Sequence, residues 1–100
     1  MTQYLIATSV LETIVRGSLE NDVRVRIHAP LPLARTRPVE VVVEGENCFV
    51  AIHIDARMGE NLPSLASSVR GTIAGALGSM TGLRVAAVDV SVSGVFPVGI

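Results

Sequence analysis

The sequence has few of the residues on which many enzymes and nucleic-acid-binding proteins depend. It contains no tryptophan, one tyrosine and two phenylalanines in 100 residues, so the stacking of bases on aromatic rings is poorly supported. All eight basic residues are arginine, which excludes a Schiff-base lysine, a P-loop lysine and a lysine general base. Hydrophobic residues make up 49% of the chain, enough for one core of valine, isoleucine, leucine and alanine.

Cysteine and net charge are also scarce. Cys48 is the only cysteine, and no basic and apolar signal region follows Met1, so we expect a cytoplasmic protein in a reducing compartment. The formal net charge of -1 provides no overall field that would attract nucleic acid or an anionic membrane. The most apolar long segment, 62–80, includes Arg70, four serines and three glycines. Direct insertion into a membrane is therefore not expected.

Two segments have the spacing of amphipathic helices. Ser9 is followed three residues later by Glu12, which fits a capping box and predicts that the first helix begins there. The second predicted helix has Asn61 as its N-cap, Pro63 in its first turn and Gly82 as a left-handed C-cap.

The segments predicted to form strands alternate apolar and polar residues with a period of two. The alternation covers 23–29, 39–44 and 48–56, and the turn residues 45–47 predict a hairpin between the last two. Three prolines predict that 30–38 is a loop. A last strand begins at Leu83 and changes phase near Ala86 and Ala87, which predicts a β-bulge, and an apolar tail follows at 95–100.

The order of these elements predicts one α+β domain spanning residues 1–100. The order is α-β-β-β-α-β, and we expect two helices on one face of a mostly antiparallel sheet of about four strands. One solvated sheet face explains why an apolar row alternates with a row that carries the charges.

Several stretches of the sequence together form a recognisable pattern. They are Val-Val-Val-Glu-Gly-Glu from Val41, Ile52-His53-Ile54, Gly59 to Pro63, Met80 to Val85, and Val88 to Val95. The most specific part is the second helix, bracketed by Asn-x-Pro before it and Met-Thr-Gly-Leu after it. With these stretches, more than half of the chain resembles the alkaline shock protein (Gls-type) family of Gram-positive envelope stress proteins.

The resemblance implies a role without catalysis. Members of this family are not known as enzymes, so there are no catalytic residues and no cofactor to carry over. They are described as cytoplasmic proteins held near the membrane by a separate anchor protein and linked to envelope stress. This sequence departs from the family pattern in the segment 30–38.

Three groups of side chains are candidates for chemistry. His53 and Asp55, with His28 from another strand, have ligand types that suit a divalent transition metal in a weak hydrolase, although a solvated charged face is the simpler interpretation. Cys48 and His53 are an odd number of positions apart on one strand, so their side chains point to opposite faces. Cys48 is therefore interpreted as a small buried hydrophobe, and no catalytic or metal residue is assigned.

Two further groups are candidates for interaction surfaces. Gly71, Gly75 and Gly78 share one side of the second helix, where they indicate either close packing within the chain or a self-association face. Possible partner contacts are the arginines of the first part of the chain and one aromatic residue of the tail, namely Arg24, Arg26, Arg35, Arg37 and Phe96.

The sequence and the resemblance together predict a non-enzymatic interaction or scaffold protein. We expect it to act in the envelope stress response and envelope homeostasis through protein contacts and self-association, as a homo-oligomer. The alternative is an arginine-dependent nucleic-acid-binding module, which a stripe of arginines on a strand would favour.

Overall fold

The fold is described by a computed structural model that covers residues 6–30 and 37–98. It confirms the predicted α+β class and the predicted order of elements. The elements are α1 (Thr8–Leu19), β1 (Val25–Ile27), β2 (Val39–Glu44), β3 (Asn47–Arg57), α2 (Leu62–Thr81) and β4 (Arg84–Phe96).

β3 is the central strand of the sheet. β4 pairs with β3 from Asn47 to Arg57 and therefore occupies one whole edge of that strand. β2 pairs with the first half of β3 and β1 with the second half, so both lie end to end along the opposite edge. They meet at His53, whose N–H donates to the carbonyl of Pro38 (2.8 Å) and whose carbonyl accepts from the N–H of His28 (3.0 Å).

Two of the three strand pairings are antiparallel, as predicted, and the third is parallel. β1 and β2 run antiparallel to β3, whereas β4 runs parallel to it. Parallel neighbours need a crossover connection, and α2 provides it. The sequence pattern did not specify this pairing, because a half-buried strand alternates in the same way in either direction.

One face of the sheet is covered by both helices, as predicted. The even-numbered side chains of β3, from Cys48 to Ala56, are at most 2% exposed and lie in the single core cluster. α1 adds Leu11, Val15 and Leu19, and α2 adds Leu65, Val69, Ile73 and Leu77. The odd-numbered side chains of β3 occupy the other face, which the helices leave open.

The boundaries of α2 confirm the predicted caps, and the start of α1 does not. The side chain of Asn61 accepts from the N–H of Ser64 (3.0 Å), and Gly82 ends the helix with φ of 74°. α1 instead begins at Thr8 after Ala7, with no side-chain cap. The predicted partner of Ser9, Glu12, accepts from Arg37 instead (3.2 Å).

The strand ends differ from the prediction by one or two residues. β1 begins at Val25, because the carboxylate of Asp22 accepts from the backbone N–H of Arg24 (3.0 Å) and forms a turn there. Val95 and Phe96 are the last residues of β4, so the predicted tail shortens to the residues after them.

The structure describes only the ends of the predicted loop 30–38. The segment 31–36, which includes Arg35, lies outside the described residues, as do 99 and 100. Among the helices of 6–30 and 37–98, none is long and apolar enough to cross a membrane.

Candidate functional site: the open sheet face and helix α2

The open sheet face carries two histidines side by side, each bonded to a different partner. Nδ1 of His28 lies 2.7 Å from Oδ1 of Asp55, on the neighbouring strand. Nδ1 of His53 lies 3.0 Å from Oγ of Ser93 on β4. The structure therefore brings His28 and Asp55 together, as the sequence suggested, and links His53 to a serine that the sequence analysis did not identify.

This arrangement differs from a nucleophile–histidine–acid triad. In a triad one imidazole bridges the nucleophile and the acid, whereas here the carboxylate and the hydroxyl are bonded to different histidines. The described part of the chain also has no group of three or more His, Cys, Asp or Glu residues placed to hold a metal ion. The polar pairs thus have the features of a solvated sheet face.

Gly94 makes room for the Asp55 carboxylate. A Cβ atom at Gly94 would lie 2.7 Å from Oδ1 of Asp55, closer than real Cβ atoms pack, and 3.3 Å from its Cγ, which is a tight contact. β4 has a second register shift beside this pair, between Ile54 and Asp55 of β3. The sequence feature that could have predicted this contact is the glycine inside a strand pattern, since such a glycine often marks a bulge or a close approach of another group.

Phe96 is covered by Arg26. The guanidinium of Arg26 lies 4.0 Å from the centre of the Phe96 ring, a cation–π distance. Phe96 is only 8% exposed, so its ring has little free surface in this structure, and its predicted contact with a partner stays a prediction.

Arg24 and Arg37 are ion-paired within the chain. Arg24 donates to both carboxylate oxygens of Asp22 (3.0 and 2.8 Å) and to Oγ of Ser68 (3.1 Å). Arg37 donates to Glu12 (3.2 Å). The described arginines of this group therefore do not form one uncompensated basic patch, which removes support from the nucleic-acid alternative.

The Asp22 ion pair predicts a pH-dependent contribution to stability. The guanidinium of Arg24, which donates to Asp22, holds the pKa of that carboxyl below its ordinary value of 3.8. A carboxyl whose pKa is lower in the folded than in the unfolded state stabilises the fold at pH values above its unfolded pKa. That contribution is lost as the pH falls through its folded pKa. We expect Asp22→Asn to lower the free energy of unfolding near neutrality and to leave it unchanged in acid well below pH 3.8.

Urea unfolding of the wild type and Asp22→Asn across this pH range measures the difference. Glu46→Gln, which removes an exposed carboxylate from the hairpin turn, is the control. A wild-type advantage over Asp22→Asn that persists unchanged in acid would contradict the prediction.

Cys48 is an apolar core residue, as the spacing from His53 indicated. Its side chain is fully buried, and burial raises the pKa of the thiol. A buried protonated thiol is a poor nucleophile.

The glycines of α2 lie on its uncovered side. Gly71 and Gly75 are exposed, and a Cβ at either would meet no atom within 4 Å. Gly78 would meet only the carbonyl of Leu83, at 3.9 Å, which is an ordinary contact. Close packing within the described part of the chain therefore does not account for these glycines.

A groove of about 540 Å³ lies between α1 and β1. Its charged lining consists of Arg16, Glu20 and Arg26, and the rest is mostly apolar. Neither His28 nor His53 lines the groove.

Comparison with known proteins gives one match. A family model of the alkaline shock proteins, described by a cell envelope-related function, matches residues 6–97. No protein with a curated function and no solved structure is found to be similar. Because the match covers nearly all of the chain, including both helices and all four strands, this protein belongs to the alkaline shock protein family, whose function is related to the cell envelope.

Proposed function

We propose that this protein is a non-enzymatic interaction module of the envelope stress response that acts through self-association and protein contacts. We place it in the cytoplasm, held near the membrane by a separate anchor protein, as the family resemblance implies. The observation that carries the proposal is the exposed row of glycines on α2.

The glycine row is costly for an isolated helix. Each glycine in a helix interior costs about 1 kcal/mol relative to alanine, and Gly71, Gly75 and Gly78 all lie inside α2. At about 100° per residue the three positions fall within an arc of about 60°, opposite the buried row that includes Ile73. A helix of a second copy can approach closely along such a row, and its packing there would offset the cost.

Self-association through this row is tested by Gly75→Leu. We expect the wild type to associate as its concentration rises, and Gly75→Leu to weaken the association by about tenfold or more, equivalent to about 1.4 kcal/mol. Leucine is a better helix former than glycine, so the variant should not lose association through unfolding. Sedimentation equilibrium or light scattering over a wide concentration range measures the mass.

Thr72→Leu is the matched control, because it adds the same side chain at an exposed position of α2 beside the row, about 60° from Gly75 and about 100–120° from Gly71 and Gly78. We expect it to leave the association constant unchanged. A wild type that stays monomeric at high concentration would overturn the self-association, and a Gly75→Leu variant that associates like the wild type would overturn the role of the glycine row.

The nucleic-acid alternative is decided by titrating labelled single strands at two salt concentrations. Phosphate contacts weaken steeply as salt rises. Tight, salt-sensitive binding that is lost in an Arg24→Ala and Arg26→Ala double variant would favour that alternative over the proposed function.

A further inference from the structure

β4 has one edge that is paired with β3 and one that is not. The carbonyl of Phe96 accepts from the N–H of Met58 (2.8 Å), so the backbone groups of Phe96 point towards β3. The carbonyl of Val88 accepts from Nε of Arg70 on α2 (3.1 Å), so it points away from β3. Within residues 6–30 and 37–98, no strand pairs with this outer edge.

The two register shifts of β4 define the regular part of this edge. They lie next to Ala86 and Ser93, so 87–92 is a regular run between two bulges. Backbone groups of alternate residues point to the same side of a strand. Val90 and Val92 therefore direct their N–H and carbonyl groups outward, as Val88 does.

An outward row of backbone donors and acceptors is a template for another strand. In the regular run, the one charged side chain is that of Asp89, and Arg70 covers one carbonyl of the edge. The core-side valines are also incompletely covered: Val90 and Val92 are half-buried, whereas their neighbours Ile52 and Ile54 on β3 are fully buried.

We propose that a second copy of this chain pairs with the outer edge of β4, antiparallel and about a twofold axis at Val90. The proposal rests on the self-association proposed above and assigns it a second surface. This pairing of the two β4 strands would join two four-stranded sheets into one continuous sheet.

Register and charge favour this axis. Antiparallel pairing about Val90 places Val88 opposite the partner's Val92, and it matches outward-facing groups with outward-facing groups. On the open face it places Asp89 opposite the partner's Ser91, whose hydroxyl can donate to the carboxylate. An axis at Asp89 would place two carboxylates opposite each other, which destabilises a strand pair.

The neighbouring side of α2 has small side chains where the two copies would meet. Arg70 reaches the outer edge, and the residues three and four positions away on the same side of the helix are Ser67 and Ala74. These small residues permit the α2 helices of the two copies to approach above the joined strands. The bond from Arg70 need not break, because the carbonyl of Val88 has a second lone pair for a strand N–H.

Val90→Pro tests the surface. Its N–H points away from β3, and proline is tolerated where an edge-strand N–H faces solvent. We expect Val90→Pro to keep the circular dichroism spectrum and cooperative unfolding of the wild type and to weaken dimerisation about tenfold or more. Gly75→Leu, which alters a position about 140° around α2 from Arg70, should still form the β4 dimer.

These two variants distinguish the two proposals. If Gly75→Leu abolishes all association and Val90→Pro abolishes none, the glycine row is the sole interface and the β4 pairing is wrong. If the wild type stays monomeric at high concentration, both are wrong.

A cysteine pair tests the register even if Val90→Pro does not fold. In the double variant Asp89→Cys and Ser91→Cys, each new cysteine lies opposite one of the partner's at about 4.5 Å between Cα atoms, within disulfide range. Mild oxidation should then link two chains, while Ser91→Cys alone should link poorly because diagonal residues are about 7–8 Å apart. Cys48 does not interfere, since it is fully buried. A double variant that links no better than the single one would overturn the proposed pairing.

Discussion

Replacing Ile73 with alanine is expected to lower the free energy of unfolding by about 2–5 kcal/mol. Ile73 is fully buried and lies in the core cluster beneath the sheet, so the change removes packed methylene groups and leaves a cavity. The total stability of a small domain is only about 5–15 kcal/mol. The variant should therefore melt at a much lower temperature, by about 4–8 °C for each kcal/mol lost.

The measurement is urea unfolding of wild type and Ile73→Ala, with Thr72→Ala as the control. Thr72 is the preceding residue of the same helix and is exposed, so its replacement should change stability by only a few tenths of a kcal/mol. If Ile73→Ala and Thr72→Ala were equally stable, Ile73 would not lie in the core and the packing of α2 would need revision.

Gly94→Ala is expected to destabilise the wild type and to become harmless once Asp55 is removed. A Cβ at Gly94 would overlap Oδ1 of Asp55, so the carboxylate must shift and its bond to His28 is lost or weakened. Overpacking of this kind costs about 1–3 kcal/mol. Alanine also restricts the unfolded chain more than glycine does, and this offsets up to about 1 kcal/mol of that cost.

The change of sign is the distinctive result. In an Asp55→Ala background the obstructing atoms are gone, so Gly94→Ala should be neutral or slightly stabilising. A double-mutant cycle of unfolding free energies measures this coupling between the two sites. Equal costs in both backgrounds would show that the glycine serves the bulge backbone and not the carboxylate.

The elements that could be predicted from sequence are those fixed by local chemistry. Asn61 and Gly82 are bonded to groups three and four residues away, so their roles can be identified from neighbouring residues. The hairpin turn at Gly45, with φ of 62°, is equally local. The bulge near Ala86 was visible because the alternation changes phase there.

The elements that could not be predicted depend on residues far apart in the chain. Glu12 fits a capping box by spacing, but Arg37, 25 residues later, takes its carboxylate. The direction of β4 depends on how α2 crosses the sheet, which periodicity does not encode.

The candidate site was predictable in its residues more than in its pairings. His28, His53 and Asp55 all lie on the open face, as alternation requires, but Ser93 and Gly94 gain their roles from a bulge that shifts the register by one residue. Arg26 and Phe96 were both proposed as outward contacts, and the structure packs them on each other. The contact between Arg26 and Phe96 depends on the alignment of β1 and β4, which pair with opposite edges of β3.

The meeting of β1 and β2 at His53 has a consequence for how this chain can vary in length. The backbone leaves the edge of β3 at His28 and rejoins it at Pro38, and these two residues bond to the carbonyl and the N–H of His53. The nine residues between them in the sequence thus connect two points that are already held together. Since the entropy of closing a loop rises only with the logarithm of its length, we expect insertions and deletions between His28 and Pro38 to leave the register of the sheet intact.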